Sequence, residues 1–345
     1  MKLLEPFDHP ILGKLNSRIA MAAMTRGFCG PSHTATPQMS EYYALRARNK
    51  VGLILTEGTV IHETADGYNN VPHIQTDQQA ESWKQVTEKV QAEGCRIFCQ
   101  LWHCGRISHT DYTGGADPFS STNRPAEGIN RQNNKPFGVP KAMTEEDICA
   151  VQDQFVKASI NAICAGFDGI QLHLGHGYLA DQFFDARIND RKDAYGGSVV
   201  NRCRFALELT QKVADTVGVN KVMVRISPSR EMNGLYDWPD LMEMIDHFIP
   251  PLKEIGIEML DISCANADYY KTSGRVIKEV RPQWSETLIG GASLTADQAE
   301  SELENGYLDM VTWGRYLIAN PDLHHKFSAK LNLVEFDRDM LTQLT

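Results

Sequence analysis

Long apolar runs and basic clusters are absent from this sequence of 345 residues. The longest apolar stretches, such as residues 51–55, fall far short of the roughly 20 residues that a membrane helix needs. Lys and Arg number 34 against 44 Asp and Glu, which gives a net charge of −10. Because counterion release on nucleic acids or anionic lipids requires clustered Lys and Arg, we expect neither kind of partner.

The N-terminus lacks the pattern of a signal peptide, because Glu5 and Asp8 stand where its apolar core would lie. Eight cysteines are too few for a disulfide scaffold in a chain of this length. We therefore expect a cytoplasmic protein with free cysteines. Its 42% hydrophobic and 23% charged residues are typical of a globular protein and exclude a disordered one.

What the sequence does contain is a repeated alternation of short apolar runs and helical segments. Eight of the runs are predicted to form buried parallel strands. They cover residues 19–24, 51–57, 96–103, 167–173, 221–227, 256–263, 287–291 and 308–314. Eight successive βα units favour an α/β fold in which a parallel sheet closes into a (β/α)8 TIM barrel.

A doubly wound open sheet is the alternative, and it would place a glycine-rich dinucleotide fingerprint after the first strand. No GxGxxG follows that strand, so the barrel is favoured. Helix starts agree with this reading of the repeat. Thr76 with Gln79 and Thr295 with Gln298 have the spacing of capping boxes, and a third helix is predicted to begin near Thr144.

Two segments lie outside the repeat. Residues 1–18 are predicted to form a short hairpin that closes one end of the barrel. Residues 104–143 contain many turn residues and are longer than a connection requires, so we expect them to cap the site as a lid. The chain is accordingly predicted to be one domain over residues 1–345.

Barrels of this type place their active sites at the carboxyl ends of the strands. Strands seven and eight end at Gly290-Gly291 and Gly314-Arg315, where backbone N–H groups and an arginine could hold a phosphate. Ordinary turn glycines and a surface ion pair are the alternative. Arg225 lies in an otherwise apolar strand, where a guanidinium requires either an anionic ligand or a structural ion pair.

Polar side chains also end strands three and four. Gln100 and Trp102 point to the same face of a strand, where they could contact a planar ligand, although a packed tryptophan explains the indole as well. His173, His176 and Tyr178 could polarise a carbonyl, perform acid–base chemistry or bind a metal. A zinc site is disfavoured, because the nearby cysteines form no CxxC pair.

Together these residues resemble the Old Yellow Enzyme family of FMN-dependent ene-reductases over nearly the whole chain. The most specific motif runs from His173 to Phe183 and continues through residues 189–202. Further matching motifs lie at residues 21–26, 56–59, 100–103, 225–228 and 314–322.

The resemblance implies an oxidoreductase with non-covalently bound FMN. It would take a hydride from NAD(P)H and reduce the activated C=C bond of α,β-unsaturated carbonyls, nitroalkenes or related xenobiotics by a ping-pong mechanism. Its partners would be that small-molecule substrate and NAD(P)H, while the oligomeric state stays open. The implied cofactor contacts are Ala23, Met24, Thr25, Gly58, Gln100, Arg225, Gly291, Ala292, Gly314 and Arg315.

Individual roles follow from the same resemblance. Thr25 would bond the flavin C4 carbonyl, Gln100 the pyrimidine edge, and Arg225 the N1 and C2 carbonyl region. The phosphate would lie against Gly291, Ala292, Gly314 and Arg315. On the substrate side, His173 and His176 would hold the substrate oxygen, Tyr178 would donate a proton, and Tyr68 and Trp102 would wall the pocket.

The chain departs from the family pattern at several positions. Ala23 replaces a usual proline, Gly58 a usual alanine, and Leu174-Gly175 a usual Gly-Ala pair, while residues 337–342 lack an aromatic side chain. Two alternatives to the reductase stay open. One is a metal-dependent barrel hydrolase or lyase that uses His103, His173 and His176, and the other is a non-catalytic flavin-binding protein.

Overall fold

Eight parallel strands form the centre of the fold. The structure is a computed structural model that describes residues 1–231, 234–265 and 267–345. In chain order the barrel strands are β1 (Ile19–Met21), β2 (Leu53–Leu55), β3 (Arg96–Trp102), β4 (Gly169–His173), β5 (Val222–Ile226), β6 (Met259–Ile262), β7 (Thr287–Gly291) and β8 (Met310–Trp313). Every predicted run contains one of these strands.

The sheet is closed. Each strand pairs in parallel with its neighbours in the chain, and β8 pairs with β1, where Thr312 lies opposite Ala20. The β3–β4 pairing, with Gln100 opposite Gln171, completes the circle. The barrel is therefore confirmed, and the open doubly wound alternative is wrong because that sheet would leave two edges.

Helices connect the strands on the outside of the barrel. They are α1 (Pro37–Arg48), α2 (Asp77–Ala92), α3 (Glu145–Cys164), α4 (Val199–Val217), α5 (Leu241–Ile255), α6 (Ser273–Val280), α7 (Ala296–Glu304) and α8 (Leu323–Ser328). Two further short helices cover Leu179–Phe184 and Arg315–Ala319. Among the residues described, none of the helices combines the length and apolar character required to traverse a bilayer.

Three helices begin where their capping residues predict. Thr76, Thr144 and Thr295 each accept a hydrogen bond from the backbone of the third helical residue, whose side chain bonds back to the cap. Such a box satisfies amide donors that the first helical turn would otherwise leave unpaired. The buried faces of these helices then pack on the outer surface of the sheet.

The remaining elements are short. Antiparallel strands Phe7–His9 and Gly13–Leu15 form the predicted N-terminal hairpin, and Ser229–Glu231 pairs with Leu235–Asp237. Strand Thr59–Val60 pairs in parallel with the carboxyl end of β3, while Phe119–Ser120, Ile129–Asn130, Lys135–Pro136 and Lys141–Ala142 lie within residues 104–143. The 3-10 turns are Lys2–Leu4, Gly30–Ser32, Glu63–Ala65, Val219–Lys221, Tyr269–Lys271, Arg281–Gln283 and Arg338–Thr342.

The barrel interior changes character along the strands. At the amino ends of the strands it is filled by apolar side chains, including Phe98, Met223 and Met310, and the hairpin contributes Leu12 and Leu15 to this plug. Two residues further along, the inward positions become polar. This alternation leaves a buried polar layer above the plug and directs the chain's chemistry to the carboxyl ends of the strands.

Candidate active site

A cavity of about 840 Å³ opens at the carboxyl ends of the strands. Two predicted site residues, Tyr68 and Gly291, lie beside its wall, and all the others lie on it. Those on the wall are Ala23, Met24, Thr25, Gly58, Gln100, Trp102, His173, His176, Tyr178, Arg225, Ala292, Gly314 and Arg315. The structure therefore brings together residues that are separated by up to about three hundred positions in the chain.

The turn after β4 presents His173, His176 and Tyr178 to the cavity. His176 has a positive φ of 58°, and its amide donates to Ser227 Oγ over 2.6 Å. A Cβ at Gly175 would come within 2.6 Å of the same Ser227 oxygen, so the Leu174-Gly175 pair permits this close approach. The ring centroids of the two histidines are 5.1 Å apart, and that of His173 lies 5.3 Å from the Tyr178 ring.

The surroundings of both histidines of this turn favour the neutral imidazole over the charged one. Burial lowers the pKa of His173 and His176 well below the ordinary histidine value, and the nearby Arg225 charge lowers both further. A neutral imidazole can donate one hydrogen bond without carrying charge. The Nδ1 atom of His173 is buried without a hydrogen-bond partner in the part of the chain that the structure describes. The pair is thus suited to holding a ligand oxygen.

Tyr178 is held by two other aromatic residues. Its hydroxyl lies 2.7 Å from the Tyr68 hydroxyl, and its ring meets the Trp102 ring edge-on at 4.9 Å between centroids. Burial raises the pKa of Tyr178 well above its ordinary value and that of Tyr68 to about 12. Both phenols therefore keep their protons at neutral pH, as a proton donor must.

Gly58 is required by the position of Trp102. A Cβ at residue 58 would lie 2.5 Å from the Cε3 atom of the indole, which is closer than two non-bonded carbon atoms can approach. The family's usual alanine would therefore push this ring out of its position. The departure at Gly58 is explained by its packing against Trp102 at the end of β3.

Arg225 has both a structural partner and an open side. Its Nη2 donates to Ser263 Oγ over 2.8 Å, and its Nε lies 3.5 Å from Asp261 Oδ2. That Nε–H makes no hydrogen bond to any described residue, although it is buried. The sequence left a ligand and an ion pair as alternatives, and the geometry contains the ion pair while also placing Arg225 on the cavity wall.

The ends of β7 and β8 form the opposite wall. Gly291 has a φ of 143°, and a Cβ there would lie 2.5 Å from the Thr312 carbonyl oxygen. The amide of Ala292 donates to that same oxygen over 2.8 Å, so it is already engaged within the barrel. A Cβ on Gly314 would approach Met24 Sδ within 2.8 Å, and Arg315 lies beside it on the wall.

The loop that carries Thr25 is fixed by Glu57, which the sequence analysis did not single out. Its Oε2 accepts hydrogen bonds from the amides of Arg26 and Gly27, each over 2.9 Å. Burial raises the pKa of Glu57 to about 7, although these bonds and the Arg26 charge oppose the rise. Glu57 contacts backbone amides about 30 residues away in the sequence. Only the position of Glu57 close to a strand end could have indicated that it fixes this loop.

Asp66 positions Tyr68 in a similar way. Its Oδ1 accepts from the amides of Gly67 and Tyr68, and its Oδ2 lies 2.8 Å from Nε2 of His73. The His73 ring is stacked on that of His33, with centroids 3.9 Å apart. Potential ligand atoms of these three residues lie within 4.8 Å of one another, but His73 Nε2 is already paired with Asp66 and His33 Nδ1 lies 2.7 Å from a backbone carbonyl oxygen. We interpret the cluster as a support for the Tyr68 loop.

Residues from outside the barrel complete the cavity wall. Arg131 comes from the excursion over residues 104–143, and Phe336, Arg338 and Leu341 come from the C-terminal segment. Arg26 Nη2 donates to the backbone carbonyls of Met340 and Gln343, which fastens that segment. Residues 337–342 lack an aromatic side chain, but Phe336 supplies one directly before them. The Cζ atom of Arg315 lies 5.1 Å from the centroid of the Phe336 ring.

Comparison with known proteins gives a consistent result. The model of the NADH:flavin oxidoreductase / NADH oxidase family matches residues 2–333. Among curated proteins, 12-oxophytodienoate reductase 7 of Oryza sativa subsp. japonica is 34% identical, with 97% of this chain and 90% of that protein covered. The aldehyde reductase FrzD of a Cladobotryum species is 35% identical, with 95% and 88% covered.

The fold agrees with a solved structure as well. The old yellow enzyme homologue of Zymomonas mobilis superposes with a TM-score of 0.91 at 32% identity. The superposition covers 99% of this chain and 96% of that one. The similarity therefore extends over the whole barrel, including the strand ends that line the cavity.

Proposed function

The chain belongs to the NADH:flavin oxidoreductase / NADH oxidase family, that of the Old Yellow Enzymes, and from this premise we propose a substrate class and a role for each site residue. It is an FMN-dependent oxidoreductase of the ene-reductase type. The proposed substrates are α,β-unsaturated carbonyl compounds, nitroalkenes and related xenobiotics, with NAD(P)H as electron donor. The names of two relatives, an oxophytodienoate reductase and an aldehyde reductase, also point to carbonyl substrates.

The cavity fits FMN. Its volume of about 840 Å³ is large enough for a cofactor together with a small substrate. Arg225 places a buried guanidinium on the wall, where an anionic or carbonyl-bearing ring would be a suitable partner. When bound, FMN supplies hydride transfer from NAD(P)H to the substrate.

We assign cofactor contacts to nine residues on the wall and to Gly291 beside it. Thr25, Gln100 and Arg225 would bond the ring, and Ala23, Met24 and Gly58 would pack against it. Gly291, Ala292, Gly314 and Arg315 would surround the phosphate. Because the Ala292 amide is already bonded to Thr312, its contribution would be one of shape, and Arg315 would provide the charge.

His173 and His176 would orient the substrate. Each imidazole is neutral and can donate a hydrogen bond to the carbonyl or nitro oxygen. Negative charge grows on that oxygen as the double bond is reduced, so donors fixed in advance stabilise the transition state more than the ground state. Placement of the alkene against Tyr68 and Trp102 adds the effect of orientation.

Tyr178 would donate the proton from its hydroxyl to the α-carbon of the alkene. Its raised pKa keeps the proton in place until negative charge forms next to it. Tyr68, hydrogen-bonded to the same hydroxyl, would support the phenolate that remains. This role is general acid catalysis of the ordinary kind.

One observation carries the proposal: His173, His176 and Tyr178 lie in one cavity with Arg225. A metal-dependent hydrolase is not favoured, because His103 is absent from that wall. We also propose that residues 1–345 form one domain capped by residues 104–143. This rests on Arg131 in the wall and on the Asn130 side chain, which donates to the Gly67 carbonyl beside Tyr68.

The test uses the purified protein. We expect flavin absorption, bleaching of that absorption by NADPH or NADH without oxygen, and its return when 2-cyclohexenone is added. A protein without flavin would contradict the cofactor assignment. Bleaching without reoxidation by any enone, nitroalkene or nitrate ester would support the non-catalytic flavin protein instead. A panel of these compounds with both nicotinamides would define the substrate class.

A further inference from the structure

Two buried side chains beneath the cavity connect Gln100 to Arg225. Gln100 Nε2 donates to Gln171 Oε1 over 2.7 Å, and Gln171 Nε2 donates to Asp261 Oδ2 over 3.0 Å. That Oδ2 lies 3.5 Å from Arg225 Nε. Gln171 is fully buried and Asp261 is 1% exposed, so solvent screens none of these contacts. We call these four residues the polar relay.

The relay has a defined direction because an ionised carboxylate can only accept hydrogen bonds. Burial raises the pKa of Asp261, while the Arg225 charge and the Gln171 bond oppose that rise. The adjacent guanidinium is the fixed charge that favours the ionised form. With Asp261 as the acceptor, Gln171 must turn its nitrogen toward it and its oxygen toward Gln100.

Gln171 has no second orientation that satisfies its neighbours. Its nitrogen also lies 3.1 Å from Met223 Sδ, so the N–H groups have both the carboxylate and the thioether as acceptors. A reversed amide would place its oxygen against Asp261 Oδ2 and against that sulfur, where both contacts are repulsive. The side-chain nitrogen of Gln100 therefore donates to Gln171 within the polar relay, and the side-chain oxygen of Gln100 is left without a partner in the relay.

We propose that Gln171 and Asp261 are positioning residues that fix the Gln100 amide with its oxygen toward the cavity, as the acceptor for the imide N–H of the flavin. The inference rests on the proposed function, because it requires FMN in the cavity. An isoalloxazine carries one imide N–H between two carbonyls. An amide turned the other way would present a donor to that N–H and weaken binding.

The same carboxylate also controls the charge next to the ring. Asp261 partly compensates Arg225, so its negative charge limits how strongly the guanidinium favours an anionic reduced flavin. Removal of that charge should make reduced FMN bind more tightly relative to oxidised FMN. The midpoint potential of the bound flavin should then become more positive.

The experiment compares Asp261→Asn and Gln171→Leu with the wild type in two measurements. The first is the ratio of dissociation constants for FMN and for 3-methyl-FMN, which lacks the imide N–H. The second is the midpoint potential. The matched control is Asp168→Asn, since Asp168 is also paired to an arginine, with 2.8 Å between its Oδ1 and Arg96 Nη1, but lies at the opposite end of the barrel.

We expect the wild type and the control to prefer FMN over the methylated analogue by at least tenfold, and both relay variants to reduce that preference at least threefold. Asp261→Asn alone should shift the potential by about +30 mV, which corresponds to a tenfold change for a two-electron couple. Gln171→Leu removes no charge and should shift it much less. A structural role alone would leave the analogue preference unchanged.

Other outcomes overturn specific parts of the account. Unchanged preference in both variants, or no preference in the wild type, would contradict the relay. If Asp261→Asn does not fold, Gln171→Leu alone decides the question of orientation, because it leaves the ion pair in place. A wild-type protein that binds neither flavin would contradict the proposed function, and this result is distinct from a failure of the relay.

Discussion

The two halves of the barrel interior differ in what they contain. The half at the amino ends of the strands is filled mainly by apolar side chains, such as Phe98, Met259 and Ile289. The other half holds Gln100, Gln171, Asp261 and Arg225, all buried and all polar or charged. Since inward positions alternate along each strand, two residues separate one kind of interior from the other.

This difference separates stability from chemistry. Apolar burial contributes to folding at roughly 25 cal/mol per Å², whereas buried charges are costly unless they are paired. The polar half is consequently a place where the fold sacrifices stability in order to position donors and charges around a cavity. Substitutions in the apolar half should therefore change mainly the free energy of unfolding, and substitutions near the cavity should also change ligand binding or kinetics.

The largest effect is expected from Phe98→Ala in the apolar half. Phe98 is fully buried, and a Cβ on Gly169 would come within 2.4 Å of its Cζ, so the surrounding space is tightly packed. Loss of the ring should lower the free energy of unfolding by about 3 to 5 kcal/mol. Chemical denaturation measures this loss. The FMN affinity of the folded variant should stay within about twofold of the wild-type affinity, because the apolar plug is separated from the cavity by the polar layer. A large loss of affinity would contradict the separation.

A smaller effect is expected from Gly58→Ala at the border of the cavity. The added methyl would meet the Trp102 indole and displace it, at a cost of about 1 to 3 kcal/mol in unfolding free energy. Unlike Phe98→Ala, this variant should also change the Michaelis constant for alkene substrates. Steady-state kinetics with a small and a bulky enone would show this, and unchanged constants for both would argue against Trp102 as a pocket wall.

The next prediction concerns pH. Burial lowers the pKa of His103 to about 3. When the pH falls below the ordinary histidine pKa, the unfolded chain therefore binds a proton at this residue and the folded chain does not. Stability from this residue is therefore complete above the unfolded pKa and falls as the pH decreases. Between about pH 7.5 and 5.5 this residue should reduce the free energy of unfolding by about 1.4 kcal/mol. Denaturant titrations at both pH values should show a smaller decrease for His103→Gln, and an equal decrease would contradict the assignment.

The smallest effect is expected from Tyr68→Phe. This change removes only the hydroxyl that lies 2.7 Å from the Tyr178 hydroxyl. One hydrogen bond contributes about 1 kcal/mol, so the rate of substrate reduction should fall by about fivefold. Stopped-flow kinetics with an enone measures this rate. A decrease in rate as large as that expected on removal of a general acid would instead identify Tyr68 as the proton donor.

The barrel was predictable because its signals are local. Apolar runs of strand length, the Thr76 and Thr295 capping boxes and the absence of a glycine fingerprint each depend on a few adjacent residues. Predicted strands exceeded the observed ones at both ends, and the longest carboxyl-terminal excess is at residues 22–24. There the chain goes on to line the cavity, so apolar character persists beyond the last strand residue, although the Ala22 amide still donates to the Trp313 carbonyl.

The supporting residues were not predictable to the same degree, because their contacts are distant in sequence. Glu57 binds the backbone at residues 26 and 27, and Phe336 reaches the cavity from the end of the chain. One signal was nevertheless present. Gln171 and Asp261 interrupt apolar strands in the same way as Arg225, and a buried charge in a strand implies an opposite charge close to it.

The most direct test of the account measures the two half-reactions of Tyr178→Phe separately by stopped-flow absorption, with Tyr68→Phe as the matched control. We predict that reduction of the bound flavin by NADPH stays within about twofold of the wild type, because no proton from residue 178 is involved. Reoxidation by 2-cyclohexenone should slow by about 100-fold or more, as expected for loss of a general acid. An equal loss in both half-reactions would contradict the assignment of Tyr178 as the proton donor.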